Sequence, residues 1–193
     1  MQKKIKWMID PVHSEIAFKV RHLMITNVKG VFQDFEASIY TIGDDFMSAE
    51  IDFWMDPASV DTGSADRDEH MRSADFFDVA HHKEITFTSN SYETVDNDGS
   101  YEMYGDLTIK GITKRVKLDV EFGGVIKDPW GAKKAGFTIN GKINRSDWGL
   151  NWNTALEAGG VLVSEEIRIS CEVQLLIANE EPVLMESSEA SHN

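Results

Sequence analysis

At 193 residues, with 33 acidic against 19 basic side chains and a net charge of −14, the chain is poorly suited to nucleic acid or an anionic membrane surface as its main partner. A single cysteine, Cys171, precludes an internal disulfide and fits a reducing compartment. The opening MQKKIKWMIDPVHSE has basic residues but no apolar h-region, and no run is long enough to span a bilayer. The expectation is therefore one cytoplasmic domain with a sizeable core and no integral membrane segment.

Along the chain, alternation with a period of two announces strands. Ile16, Phe18, Val20 and His22 face one way, against Glu15, Ala17, Lys19 and Arg21. Phe35, Ala37 and Ile39 follow, then Ala49, Ile51, Phe53 and Met55, which alternate with Glu50, Asp52, Trp54 and Asp56. Trp54, set among acids, offers a contact surface for a second copy and leaves a homodimer open.

The pattern stops between Asp61 and Val79, where a short polar helix is expected. Thr62 or Ser64 can cap it, and the acids Asp66, Asp68 and Glu69 suit its N-terminal half. Asp66–His70 and Asp68–Arg72 stand at i,i+4 and are expected to pair. Phe76, Phe77 and Val79 then anchor it.

Alternation resumes with Ile85 and Phe87, and Asp96–Gly99 reads as a hairpin turn. Tyr101, Met103, Gly105, Leu107 and Ile109 share a face, followed by a turn at Lys110–Gly111. Val116, Leu118, Val120 and Phe122 come next, and Gly123–Gly124 and Asp128–Gly131 are expected to break the pattern. Phe137, Ile139, Gly141 and Ile143 form another strand, and a long run from Val161 to Leu175 the last. A missing side chain at Gly105 and Gly141 predicts a bend or a void. The domain is expected to span 1–179, with 180–193 as an acidic flexible tail.

So many strands in one open sheet would leave an apolar face and two edges bare. Closure into an up-and-down antiparallel barrel removes both problems, although alternation alone also allows a two-sheet sandwich. A closed barrel of about eight strands has roughly enough interior for side chains or one small ligand. Periodicity leaves a filled core and a cavity both open.

Catalytic chemistry finds little support. No G-x-S-x-G elbow, P-loop or G-x-G-x-x-G occurs, and Cys171 lies mid-strand among apolar neighbours. His70, His81 and His82 lie near Asp66, Asp68 and Glu84, but without the compact spacing of a metal site. No catalytic residue, metal or cofactor is assigned. Asn144 to Trp152 combines Arg145 with Trp148 and Trp152. It fits either an aromatic lip for an amphiphile's head or an Arg–Asp pair with a tryptophan plug.

Several motifs, in order, resemble the YceI-like family of polyisoprenoid-binding proteins with a lipocalin-like barrel. They are Asp10-Pro11-Val12-His13-Ser14 leading into Ile16-x-Phe18-x-Val20-x-His22, Val28-x-Gly30-x-Phe32, and Ser59-Val60-Asp61-Thr62-Gly63. Arg67-Asp68-x-His70-Met71-Arg72-Ser73-x-Asp75-Phe76-Phe77-Asp78-Val79, Gly105-x-Leu107-Thr108-x-x-Gly111 and Arg145-Ser146-Asp147-Trp148-Gly149-Leu150 complete the set. The resemblance runs from about Trp7 to Ile177. It departs at Lys83, where the family usually has a proline, and in the lack of a secretion signal that many members carry.

The resemblance implies an all-β fold, an eight-stranded antiparallel lipocalin-like barrel with a short helix near its opening. It implies a tunnel for a long-chain isoprenoid, polyprenyl or quinone-like, or a fatty amphiphile, held for carriage, storage or sequestration. Carried over by position, the ligand-binding residues are Ile16, Phe18, Val20, His22, Phe35, Ile39, Ile51 and Phe53 on the early strands. Phe76 and Phe77 follow the helix. Leu107, Ile109, Leu118, Val120, Phe137, Ile139, Arg145, Trp148 and Trp152 come from the later chain. The rival is an enzyme acting on such a lipid through Asp68 and His70, with or without a metal at His70 and His81.

Overall fold

The computed structural model describes residues 2–157, 159–160 and 162–182. Among the described residues there are eleven strands: β1 Lys3–Ile9, β2 Glu15–His22, β3 Thr26–Phe32, β4 Phe35–Ile42, β5 Asp45–Met55, β6 Val60–Asp61, β7 Ile85–Thr94, β8 Ser100–Ile109, β9 Ile112–Lys127, β10 Lys133–Asn144 and β11 Val163–Pro182. One helix, α1, spans Ala65–Arg72. Every pairing is antiparallel, and the β1–β11 contact closes the sheet into a ring.

The ring has eight staves because three of them are broken. β1 and β2 both run antiparallel to β11, Ile9 opposite Leu175 and Glu15 opposite Glu172, so they form one stave interrupted at 10–14. β3 and β4 continue one another in the same way, as do β5 and β6. The sandwich left open by the alternation is not what forms.

The first break shows why Asp10-Pro11-Val12-His13-Ser14 reads as a motif. Pro11 has no N–H to give to a ladder. Asp10 donates its own N–H to Gln174 O at 2.8 Å and accepts from Val12 N at 3.1 Å, while His13 Nδ1 lies 2.8 Å from its second oxygen. Burial works to raise the Asp10 pKa, but the bonds from His13 and Val12 outweigh it and hold the carboxyl below its ordinary value. Gln174 N then donates to Ser14 Oγ at 3.0 Å, so β11 stays fastened where it changes partners.

The end of the barrel away from α1 is closed by aromatics. Phe46 lies 5.2 Å from Trp7, 5.3 Å from Phe122 and 4.8 Å from Phe137 between ring centroids. Trp7 is fully buried, and its Nε1 donates to Thr41 Oγ1 at 2.8 Å.

Several local expectations need correction. Gly123–Gly124 does not end a strand: β9 runs on to Lys127, and the extra residue forms a bulge opposite Gly136 and Phe137. Gly105 and Gly141 leave no voids and mark close approaches, and Gly105 stands opposite the irregularity between Ser89 and Ser91 of β7. A Cβ at Gly105 would sit 2.5 Å from Thr88 O and run into the Phe87 ring, and one at Gly141 would meet Leu118 Cδ2 at 2.7 Å. Trp54 is half-buried rather than exposed. The tail expected over 180–193 begins inside β11, and 183–193 lie outside the described residues.

The β2–β3 turn carries an unusual backbone. Leu23 and Met24 have φ of 53° and 62°, and Ile25 N bonds back to His22 O at 3.2 Å. Two central positive φ values are the type I′ arrangement, which Asn-Gly adopts with little strain. Replacing Leu23-Met24 by Asn-Gly is expected to stabilise the protein by about 1 kcal/mol, a rise of roughly 2–4 °C in Tm. A calorimetric Tm at or below that of the unmodified chain would show that the turn carries no relievable strain.

Candidate ligand tunnel

The barrel interior is not filled. It holds a cavity of about 630 Å³, within the roughly 300–1,000 Å³ of small-molecule sites. Its wall is Ile, Val, Leu, Phe and Met from almost every stave, and Phe46 and Phe137 form its floor. Of the residues expected to line a tunnel, all but Phe35 and Trp148 do so.

Those two are displaced for identifiable reasons. Phe35 opens β4 just after the break at 33–34 and is buried behind Phe53, stacked on it at 6.5 Å. Trp148 ends a 3-10 turn, Arg145–Trp148, that folds its indole into the wall, where Nε1 donates to Leu107 O at 2.9 Å. Gly149, with φ 74°, then reverses the chain and sends Trp152 to the mouth instead.

Toward α1 the lining turns polar, with Arg21, His22, Thr62, Arg67 and His70. β3 pairs with β2 along its length but with β6 only at Val31 and Phe32, so the barrel wall parts here and α1 occupies the gap. Ser64 is the cap, accepting from Arg67 N at 3.4 Å. Buried Asp68 accepts from Thr62 N at 2.8 Å and Thr62 Oγ1 at 2.6 Å, and Arg67 Nε and Nη2 donate to Thr62 at 2.7 Å each. The Thr62 N–H and hydroxyl beside the helix start thus take the place of the expected Asp68–Arg72 pair.

His70 likewise pairs with Asp75 Oδ2 at 2.8 Å, not with Asp66. Its ring meets Trp152 at 4.6 Å and Phe76 at 5.1 Å, both edge to face, and Phe76 reaches Trp152 at 5.5 Å. This three-ring cluster borders the mouth. Asp68 and His70 thus do not converge as an acid–base pair, and His81 turns away to Asp78 Oδ1 at 3.0 Å. The hydrogen bond from His81 holds the Asp78 carboxyl below its ordinary value, against a smaller desolvation effect. Among the described residues no group of three or more His, Cys, Asp or Glu is placed to hold a metal ion. Lys83 is exposed in the link to β7 and is not part of the lining.

Arg145 touches the cavity but is committed elsewhere. Only 2% exposed, it donates from Nε to Ser164 O at 2.8 Å, from Nη1 to Leu150 O at 2.6 Å and Trp152 O at 2.9 Å, and from Nη2 to Val163 O at 3.3 Å. Burial lowers its pKa and Glu165, at 3.9 Å, opposes that. The expected Arg–Asp pair with Asp147 is absent, since the guanidinium is aimed at carbonyls of the mouth loop. Asn153 completes the fastening, with Nδ2 to Val163 O at 2.7 Å and Oδ1 accepting from Val163 N at 3.1 Å. Cys171 faces the cavity, and burial pushes its thiol up to about 11, which keeps it unreactive.

The lining also contains residues that sequence reasoning did not assign. Tyr101 and Met103 lie on the same alternating face of β8 as Leu107 and were recoverable by counting back in twos. Arg67 and Leu162 were not, because their place depends on how α1 and the mouth loop pack.

No helix among the described residues is long and apolar enough to cross a membrane. Comparison with known proteins agrees with the architecture. A UPF0312 protein of Staphylococcus epidermidis is 39% identical over 175 residues, 90% of this chain and 99% of its own. The YceI protein of Campylobacter jejuni has 36% identity, covers 84% of this chain and 90% of its own, and superposes with a TM-score of 0.67. A domain from Saccharophagus degradans described as polyisoprenoid binding shares the fold, with a TM-score of 0.63 at 15% identity over 90% of this chain and 99% of its own. The YceI-like domain matches residues 7–175, nearly the whole barrel, and the chain belongs to that family.

Proposed function

We propose that the protein binds a long-chain isoprenoid or fatty amphiphile inside the barrel, for carriage, storage or sequestration, without acting on it chemically. The observation that carries this reading is the 630 Å³ cavity with an apolar wall, a closed aromatic floor and its charged side chains gathered toward α1. Such a shape excludes water from a hydrocarbon chain while leaving one end near solvent. Each methylene taken from water contributes about 0.8 kcal/mol, so chain length is discriminated weakly and the class of ligand is broader than one compound. The Saccharophagus degradans domain makes polyprenyl compounds the first ligands to test. A single buried cysteine suits a reducing compartment, and we place this function in the cytoplasm.

The test is native mass spectrometry of freshly purified protein, followed by solvent extraction and lipid identification. Stoichiometric lipid is expected from the unmodified chain, and Ala37→Trp, which projects an indole into the cavity, is expected to lose it while keeping the fold. An apo mass that also refuses added polyprenyl compounds would withdraw the proposal.

A further inference from the structure

Within the apolar lower half of the cavity one strong hydrogen-bonding group stands out. Tyr101 is 9% exposed and lies on the inward face of β8, opposite Val120, two residues from Phe122 beside the floor. Its ring packs against Tyr92 at 5.8 Å, edge to face. Tyr92 spends its own proton on Ala49 O at 2.7 Å. The Tyr101 hydroxyl, by contrast, makes no hydrogen bond among the described residues, nor is it sealed away from the cavity. Burial raises its pKa, with the neighbouring Tyr92 adding to the effect, so the phenol stays protonated and able to donate.

The other polar groups of the lining cannot serve this depth. Arg145 commits four of its five N–H groups to carbonyls, and Arg67 and His70 belong to the mouth. Cys171 is only a weak donor. Covered by a hydrocarbon chain that offers no acceptor, the phenol would cost roughly 1–3 kcal/mol, whereas phenylalanine would fill the same space without that cost. The hydroxyl is therefore explained by something the cavity receives.

We infer that Tyr101 is the polar anchor of the tunnel, donating to a neutral oxygen acceptor, a carbonyl or alcohol, at the inner end of the bound chain. A charged phosphate or carboxylate is excluded from that position, since nothing there would neutralise it. The ligand lies with its oxygenated end against Tyr101 and its hydrocarbon running toward Trp152. This inference rests on the tunnel-binding reading and refines its ligand class.

The test compares methyl pentadecyl ketone with heptadecane, which matches it in length but has no acceptor. Occupancies are measured by native mass spectrometry on the full chain and on Tyr101→Phe. The unmodified protein is expected to prefer the ketone, and the variant to lose about tenfold of its ketone affinity while holding the hydrocarbon unchanged. Equal losses for both ligands, or no loss for either, would overturn the anchor. Infrared spectroscopy gives a second readout that needs no variant: the carbonyl stretch of the bound ketone should fall below its value in hexane, and an unshifted band overturns the inference. Should the unmodified protein take up neither ligand, the tunnel-binding reading itself fails. Hydrocarbon uptake without ketone preference defeats only the role given to Tyr101.

Discussion

Arg145→Met should cost about 3–5 kcal/mol of stability and lower Tm by roughly 10 °C or more. The guanidinium is 2% exposed and gives its protons to the carbonyls of Leu150, Trp152, Val163 and Ser164. Methionine matches the stem in length but leaves those acceptors facing an apolar neighbour. Each unpaired buried carbonyl costs about 1–3 kcal/mol, reduced where the loop can shift to reach water. Arg145→Lys should recover only part of the loss, because one ammonium cannot span a fork of carbonyls. Urea denaturation followed by tryptophan fluorescence measures both, since Trp152 reports on the loop. A change below about 1 kcal/mol would mean that Asn153 and the Leu162–Thr154 backbone bond hold the loop alone.

This residue also shows where reading the sequence runs out. Strand faces were legible because side chains alternate with a period of two whatever their neighbours are, so β5, β8 and the inward side of β10 follow directly from composition. The partners of Arg145 are backbone carbonyls, which carry no sequence identity. A nearby Asp147 therefore looked like the natural counter-ion. Asp68 and His70 misled in the same way: i,i+4 spacing placed Arg72 and Asp66 beside them, while the fold supplied Thr62 and Asp75. Breaks in the staves were hidden too. Only the structure reveals that Asp10 and Ser14 both bind the main chain of Gln174, more than a hundred residues on. Trp148 was displaced by a 3-10 turn that interrupts the strand pattern, whereas Phe35 keeps the inward phase of β4 but stacks behind Phe53.

Phe46→Ala is expected to cost about 3–5 kcal/mol and at the same time to deepen the tunnel. Phe46 is 5% exposed and is the ring that Trp7, Phe122 and Phe137 all touch, so removing it takes away the centre of the floor. The cost depends on collapse. Phe122 and Phe137 stack on each other at 5.2 Å and are tied to adjacent strands of the barrel wall, which limits how far either can move inward. A void should therefore persist, continuous with the existing cavity, since Phe46 already lines it. Stability and ligand length then change together: Tm falls, and lipid extracted from the variant shifts toward longer chains. Phe46→Leu separates the two effects, because it keeps much of the apolar volume while opening a smaller gap. If Phe46→Ala destabilises fully but leaves the captured chain length unchanged, the floor does not set the depth available to the ligand.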